Sequence, residues 1–235
     1  MARPRAAGYD EQREQMLAAA AELFALRGYT AATMNEVAAA CGVSKPTLYH
    51  YVRDKHDLLV QITADHVQRL EALVLAVQQQ ALPPAEHLSA LVQRFMQAYA
   101  RAEHEHRVLT EDVKFLAPEP RAQVLAAQRR VVRAFADALA ALRPELRSAQ
   151  LHTPVAMLLF GMINWTFTWM KAGGPLSHAA LAQVVVDLVM GGLGSVRLPT
   201  QRLAQDALAI ASPPRSMSEA DSSAATSSAA SNGPV

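Results

Sequence analysis

The sequence predicts an all-α protein, in which a three-helix segment containing a helix-turn-helix is joined to a longer helical region. Hydrophobic residues make up 51% of the 235 residues, and alternating β-branched runs, which would indicate strands, are almost absent. The segment 33–55 has the spacing of two short helices joined by a tight turn. The composition predicts three regions: residues 1–59, residues 60–199 and a Ser/Ala-rich disordered tail, 200–235.

The first predicted helix runs from about Asp10 to Arg27 and is closed by Gly28. Thr33 then begins a second helix, because Glu36 follows it at the spacing of a capping box. Such a box satisfies two of the backbone N–H groups that a helix start leaves without partners.

Gly42 can adopt the left-handed conformation that ends the second helix, and Ser44 can cap the third. Pro46 follows at an early helical position, where its missing N–H has no cost. Leu48 and Val52 are four residues apart and are expected to face inward. This arrangement is typical of a helix-turn-helix, which lays its second helix in the DNA major groove. A helical corner without a nucleic-acid role is the alternative.

A fourth helix is predicted from about Asp54 towards Gln80. Further helices are predicted over 85–103, 105–116, 120–142, 149–171 and 177–196. The last two are apolar nearly all round, so each needs partners on more than one side.

Residues 9–59 resemble the DNA-binding domain of the tetracycline-repressor (TetR) family of bacterial transcription regulators. The matching residues are Ala20, Phe24, Gly28, Tyr29, Thr33, Val37, Ala38, Gly42, Val43, Ser44, Thr47, Leu48, Tyr49, Tyr51 and Lys55. The resemblance implies a homodimer, paired through its last two long helices, that binds double-stranded DNA at a palindromic operator.

The resemblance also implies roles on DNA for individual residues. Phosphate contacts are expected from Thr33, Tyr49, Tyr51 and Lys55. Base-edge contacts are expected from Lys45, Pro46, Thr47 and His50, beside the capping Ser44. Guanine is the natural partner of the donor-only Lys45. Arg3 and Arg5 are expected in an N-terminal arm.

An effector pocket within 60–199 follows from the same resemblance, and a small hydrophobic effector is expected to release the protein from its operator. Candidate contacts are Phe95, Tyr99, Phe115, Phe160, Asn164, Trp165, Thr168 and Trp169. Core packing is the alternative for each of them. Asn164 stands out, because a buried amide in an apolar helix needs hydrogen-bond partners, and a bond across the dimer is the alternative there.

The run from Phe160 to Trp169, followed by Gly174 and Pro175, is similar to TetR regulators that respond to acyl-coenzyme A thioesters of fatty-acid or aromatic-acid catabolism. Such a ligand needs cations beside apolar surface, and guanidinium groups suit phosphate. Three arginines on one predicted helix meet that need: Arg129, Arg130 and Arg133. The alternative is a repressor of an efflux or detoxification gene that senses a hydrophobic compound without coenzyme A.

Bulk charge does not argue for DNA binding, because the net charge is +1 and residues 1–60 hold seven basic and seven acidic residues. Cys41 is the single cysteine, which excludes a disulfide framework and favours the cytoplasm. Residues 148–170 lack charged side chains and are long enough to span a bilayer. Their amides, hydroxyls, histidine and proline favour burial in protein, so no membrane association is expected.

No enzyme, cofactor or metal site is expected. The sequence lacks the nucleophile-elbow, P-loop and dinucleotide-binding patterns. His104, Glu105 and His106 resemble a metal cluster, but residues two apart point to different sides of a helix. A helical interaction or scaffold protein is the remaining alternative from another class.

Overall fold

The computed structural model describes residues 8–171 and 173–199. These residues form α-helices and 3-10 turns with no strand among them, so the predicted all-α class is confirmed. The helices are α1 (Tyr9–Arg27), α2 (Met34–Ala40), α3 (Lys45–Tyr49), α4 (Lys55–Gln78), α5 (Pro84–Arg101), α6 (Glu103–Glu111), α7 (Pro118–Leu142), α8 (Glu145–Ser148), α9 (His152–Ile163) and α10 (His178–Leu193).

By its contacts the chain divides into two compact units, Met1–Val196 and Arg197–Val235. The first unit contains α1 to α10, and of the second unit only residues 197–199 are described. The expected N-terminal arm with Arg3 and Arg5, and the expected tail 200–235, lie outside the described residues. The predicted boundary between residues 59 and 60 falls inside α4 and stays a prediction.

The helix-turn-helix forms as its capping residues predict. The Thr33 hydroxyl accepts a hydrogen bond from the Glu36 N–H at 3.3 Å, and the Glu36 carboxylate accepts one from the Thr33 N–H at 2.9 Å. Gly42 has φ +64° in the turn, a conformation that favours glycine. Leu48 and Val52 are buried, which fixes α3 against the rest of the domain.

The remaining helices build a bundle around an aromatic centre. Helix α5 packs against α10, α7 packs against α4 and α9, and α6 packs against both α1 and α4. Phe95, Phe135 and Phe160 meet at this centre, with ring centroids 4.9 Å apart for the first pair and 4.7 Å apart for the second. Helix α6 therefore joins the bundle to the helix-turn-helix domain.

The predicted helix over 149–171 is wrong as a single helix. Helix α9 stops at Ile163, and a 3-10 turn follows over Thr166–Thr168. Its last carbonyls are bound by side chains: the Thr166 hydroxyl donates to the Ile163 carbonyl at 3.0 Å, and His106 Nε2 bonds to the Asn164 carbonyl at 3.2 Å. These two bonds hold the backbone at the point where α9 ends.

A smaller correction concerns the predicted helix over 105–116. The observed helix, α6, begins at Glu103 and ends at Glu111, and a separate 3-10 turn forms over Val113–Phe115.

None of the helices in the described ranges is both long enough and apolar enough to cross a membrane.

Candidate functional site

The predicted reading surface lies on and beside α3. Lys45, Pro46, Tyr49 and His50 are exposed. The Ser44 hydroxyl accepts the Thr47 N–H at 3.3 Å and shares a 2.8 Å hydrogen bond with the Thr47 hydroxyl. The cap therefore fixes the start of the reading helix and occupies one of the predicted base-contacting groups in the DNA-free protein.

Two of the predicted phosphate contacts already serve the domain itself. The Tyr51 hydroxyl donates to Gln12 Oε1 at 2.6 Å, and its ring stacks on Tyr9 with centroids 4.7 Å apart. The Thr33 hydroxyl belongs to the capping box of α2. Tyr51 thus attaches the segment after α3 to α1, and the roles of both residues towards phosphate stay predictions.

Lys55 holds the loop between α1 and α2 against α4. Its ammonium donates to the carbonyls of Tyr29, Thr30 and Ala32 at 2.9, 3.2 and 2.9 Å. It also lies 4.7 Å from the centroid of the Tyr29 ring. Lys55 is therefore a clamp within the DNA-binding domain, and its predicted phosphate contact is untested.

A junction made of two contacts joins the DNA-binding domain to the bundle. The Phe115 ring stacks on Tyr29 with centroids 5.4 Å apart, and the Ala117 N–H donates to His56 Nε2 at 3.0 Å. Phe115 was expected in the effector pocket, but the structure places it at this junction. Movement of the segment after α6 would reach the loop that Lys55 clamps.

The bundle encloses a cavity of about 850 Å³. Helices α4, α6, α7 and α9 supply most of its wall, and Tyr99 of α5 adds to it. Its apolar wall consists of Val67, Leu70, Leu109, Leu125, Val131, Val132, Met157 and Phe160. A volume of this size suits a drug-sized ligand or the acyl part of a larger one.

Exposed cations line one part of the cavity, named here the arginine rim: Arg129, Arg133 and Arg147. Arg147 bonds to Asp137 at 2.5 Å, and Asp137 also lines the cavity. Arg129 and Arg133 have no ion-pair or hydrogen-bond partner within the described ranges. Their guanidinium groups are thus available to an anion at the mouth of the cavity.

Arg130 is separated from the rim, although it lies on the same helix. Its guanidinium makes two hydrogen bonds to the Glu71 carboxylate, at 2.5 and 3.1 Å, and it lines a second cavity of about 550 Å³ between α4 and α7. Of the three arginines predicted for phosphate, the structure brings only Arg129 and Arg133 to the main cavity.

Of the other predicted effector contacts, some line the main cavity and some do not. Tyr99, Phe160 and Asn164 line the main cavity. Phe95 belongs to the aromatic centre, with no exposed surface. Trp165, Thr168 and Trp169 are exposed on the far side of the break after α9, and they do not line the cavity.

Four polar residues form one part of the cavity wall, named here the polar floor: Tyr99, His106, Thr110 and Asn164. The Tyr99 hydroxyl donates to Asn164 Oδ1 at 3.0 Å, and its ring stacks on His106 with centroids 3.6 Å apart. Burial raises the pKa of the Tyr99 phenol, so the hydroxyl stays protonated and can donate.

Two buried histidines are neutral in this network. Burial lowers the pKa of His106 to about 4, and burial together with the neighbouring His106 lowers that of His66 to about 3. His106 Nε2 faces the Asn164 carbonyl, which can only accept, so this nitrogen carries the proton. His106 Nδ1 therefore accepts from His66 Nε2 at 3.4 Å.

Sequence reasoning missed several cavity residues, including His106, Thr110, Arg147 and His152. His106 could have been found, because it was considered as a metal ligand and then set aside. Arg147 lies on the short helix α8, which the sequence did not predict, and His152 begins α9 just after it. No group of His, Cys, Asp or Glu in the described part of the chain is arranged to hold a metal ion.

Two family models match the chain. One is described as bacterial regulatory proteins of the tetR family and matches residues 16–62, and the other is a tetracyclin repressor-like C-terminal domain and matches residues 81–193. The chain belongs to the TetR family. It is therefore a transcription regulator with a helix-turn-helix DNA-binding domain, and not an enzyme.

Individual TetR proteins agree with this membership. A TetR-family regulator from Bordetella parapertussis superimposes with a TM-score of 0.75 at 33% identity, over 80% of this chain and 99% of that one. The transcriptional activator FasR from Mycolicibacterium smegmatis is 29% identical over 190 residues, which cover 80% of this chain and 86% of FasR. AibR, solved with isovaleryl coenzyme A and operator DNA, has a TM-score of 0.65 at 27% identity over 75% of this chain and 97% of AibR.

Proposed function

We propose that this TetR-family protein is a homodimeric repressor that leaves its operator when the main cavity binds an acyl-coenzyme A. The observation that carries the proposal is the pairing of two exposed guanidinium groups, Arg129 and Arg133, with an apolar cavity wall. The guanidinium groups can bind the phosphates of coenzyme A, and the apolar wall can bind the acyl chain. The likeness to AibR, which was solved with isovaleryl coenzyme A, supports the same ligand class.

Exposed apolar side chains support the homodimer. Leu158 on α9 is 72% exposed and Leu188 on α10 is 62% exposed. Trp165, Trp169 and Val184 add to the exposed apolar surface of the same region. An apolar surface of this kind on the last two helices is suited to burial against a second copy, as expected from the sequence.

Oligomeric state can be tested with Leu188→Glu. We expect light scattering to give twice the chain mass for the wild type and a shift towards the single chain for the variant, because a carboxylate on this surface would have to be desolvated. Glu in place of the equally exposed Leu26 on α1 is the control and should leave the dimer intact. An unchanged mass for Leu188→Glu would remove α10 from the interface.

A dimer would present two α3 helices to successive turns of a palindromic operator. Lys45, Pro46, Thr47 and His50 are proposed for base edges, and Thr33, Tyr49, Tyr51 and Lys55 for phosphates. The exposure of Lys45, Tyr49 and His50 supports their share of this assignment. Tyr51 and Lys55 would need to make phosphate contacts in addition to their bonds inside the domain.

Helix α6 is proposed as the element that transmits effector binding. His106, Leu109 and Thr110 face the cavity from this helix, and the helix packs against α1. Its continuation carries Phe115 to Tyr29. An effector that displaces α6 would therefore act on the loop beside α2, and it must bind the displaced state more tightly than the DNA-bound state.

The decisive experiment measures release from DNA. A labelled fragment from upstream of this protein's own gene would be bound by the purified protein, then challenged with acyl-CoAs, the free acids and coenzyme A. We expect release by thioesters alone. Release by free acids or by apolar drugs instead would favour the efflux or detoxification regulator. Failure to bind any fragment specifically would contradict operator binding and favour the scaffold alternative.

Paired variants locate the phosphate site. Arg129→Gln with Arg133→Gln should raise the thioester concentration needed for release by about tenfold to a hundredfold, since each guanidinium makes charge-assisted hydrogen bonds. Arg130→Gln is the matched control, because it removes the same charge from the same helix outside the main cavity. Equal effects of the two changes would contradict this phosphate site.

Whether the protein represses or activates its target gene can be measured separately. A dimer seated on an operator blocks polymerase without further contacts, which favours repression, whereas the relative FasR is an activator. A reporter behind the bound promoter should rise when the gene for this protein is deleted. A fall in reporter activity would make the protein an activator.

A further inference from the structure

The polar floor holds one hydrogen-bond donor, the side-chain amide of Asn164, that finds no acceptor among the residues that the structure describes. The Tyr99 hydroxyl donates to Asn164 Oδ1, and His106 Nε2 donates to the Asn164 carbonyl. Both acceptors of Asn164 are thereby occupied. Within the described ranges, its amide Nδ2 has no partner. Because Asn164 is partly exposed and lines the cavity, these two N–H bonds are available to a ligand.

The orientation of the amide is fixed by the groups around it. A protonated phenol prefers the amide oxygen as acceptor, and Tyr99 is held in place by its ring stack on His106. Thr110 supports the same arrangement, since its hydroxyl donates to the His106 carbonyl at 2.8 Å. A pre-oriented donor loses little conformational entropy when it binds a ligand.

The floor has no formal charge. Its members are a phenol, an imidazole, a hydroxyl and an amide, and the imidazole of His106 is neutral. The arginines of the cavity are exposed at the rim, whereas Tyr99 and His106 are each only 3% exposed. A carboxylate buried at the floor would lack a countercharge, whereas an uncharged oxygen would find a donor. A purely hydrocarbon ligand would leave the amide unsatisfied.

We infer that the Asn164 amide recognises an uncharged oxygen on the acyl part of the effector, which makes Asn164 a specificity-determining residue. This inference rests on the proposed acyl-CoA function. The oxygen has two chemical sources: the thioester carbonyl itself, or a keto or hydroxyl group further along the acyl chain. The shared requirement is an uncharged acceptor that replaces water at Nδ2.

Three ligands separate the sources: octanoyl-CoA, the thioether S-octyl-CoA, which lacks the thioester carbonyl, and a keto-octanoyl-CoA. Dissociation constants would be measured by calorimetry on the full chain. If the amide binds the thioester oxygen, octanoyl-CoA should bind about tenfold more tightly than the thioether. If it binds a remote oxygen, the keto thioester should gain about tenfold over octanoyl-CoA.

Asn164→Asp tests the role of Asn164 in that preference. It keeps an acceptor for the Tyr99 hydroxyl and removes the Nδ2 donor. The new carboxylate has no countercharge at the floor and should weaken all three ligands alike, so the readout is the ratio of their dissociation constants, in which the tenfold preference should disappear. Tyr99→Phe is the second variant, since it frees the amide to rotate and should weaken the preference without abolishing it. Unfolding curves and the affinity for DNA without effector would verify that both variants fold.

The outcomes distinguish this inference from the function on which it rests. Wild-type preference ratios retained in both variants would overturn the role of Asn164 and leave an acyl-CoA regulator. Tighter binding of a dicarboxylic acyl-CoA than of the keto thioester would overturn the uncharged acceptor. Absence of binding by every coenzyme A ligand to the wild type would overturn both the inference and the acyl-CoA assignment.

Discussion

Helix α3 and the main cavity differ in the exposure and hydrogen bonding of their polar side chains. On α3 and just after it, the side chains of Lys45, Tyr49 and His50 are exposed and make no hydrogen bond within the described ranges. In the polar floor, Tyr99 and His106 are buried and bonded to Asn164. The predicted reading surface therefore leaves these polar groups to solvent or to the proposed DNA contact, whereas most polar groups of the floor are bonded within the protein.

The largest expected effect concerns pH, because titratable groups are buried only on the cavity side of this comparison. Histidines in the unfolded chain take up protons below about pH 6.5, whereas folded His66 and His106 stay neutral until pH values near 3 and 4. Their contribution to stability is therefore complete above pH 6.5 and is lost as the pH falls. The expected slope is about 1.4 kcal/mol per pH unit for each histidine.

Urea unfolding at pH 7 and pH 5 measures that slope. His66→Gln keeps a donor for His106 Nδ1 and removes one titrating group, so about half of the slope should disappear. A variant as pH-sensitive as the wild type would show that other groups cause the acid sensitivity.

The next largest effect is a difference in stability between variants of two lysines in the DNA-binding domain. Lys55→Met removes three hydrogen bonds to backbone carbonyls and should lower the free energy of unfolding by about 2–3 kcal/mol. Lys45→Met removes the same charge from an exposed position and should change it by less than about 0.5 kcal/mol. The free energy of unfolding of both variants would be measured by urea denaturation. Equal values for the two variants would contradict the role of Lys55 as a clamp.

Lys45 is expected to act on sequence discrimination instead. Lys45→Ala should reduce the preference for operator over scrambled DNA by about 1–3 kcal/mol, as expected for loss of a base-edge contact. Fluorescence anisotropy with the two fragments at one salt concentration measures the ratio. A loss of affinity that is equal for both fragments would assign Lys45 to phosphate.

The smallest effect concerns the junction between the two regions. Phe115→Ala removes the ring that stacks on Tyr29 and should weaken the coupling by about 1 kcal/mol, so about five times more effector is needed for release. Effector binding to the DNA-free protein should not change. Leu26→Ala, an exposed apolar position on α1, serves as the control. A reduced affinity for the effector itself would place Phe115 in the binding site.

The helix-turn-helix was predictable because its signals are local. Thr33 and Glu36, and Ser44 and Thr47, are close in sequence, and each pair fixes the start of a helix by hydrogen bonds within one turn. The cavity gathers residues from six helices, so its members follow from packing rather than from spacing. The helical period gave no means of separating Arg130 from Arg129 and Arg133, because the difference is the Glu71 carboxylate on α4.

The break after α9 shows the same limit. Residues 149–171 have an apolar helical pattern throughout, and no glycine or proline follows Ile163 to mark the end of α9. The Asn164 carbonyl is bound by His106, which is 58 residues away in sequence. A side chain from a distant helix therefore holds the backbone where α9 stops, a contact that the local sequence does not show.

That break also sets the optical properties of the protein. The chain has two tryptophans, Trp165 and Trp169, and each is about half exposed immediately beyond α9. Trp165 is adjacent to Asn164 in the polar floor, and both indoles lie in the apolar region proposed for dimer contact. Ultraviolet emission of the unlabelled protein should therefore shift to shorter wavelength as copies associate, and the same signal should respond when a ligand reaches the floor. Assembly and effector binding can thus be followed in solution with no dye attached.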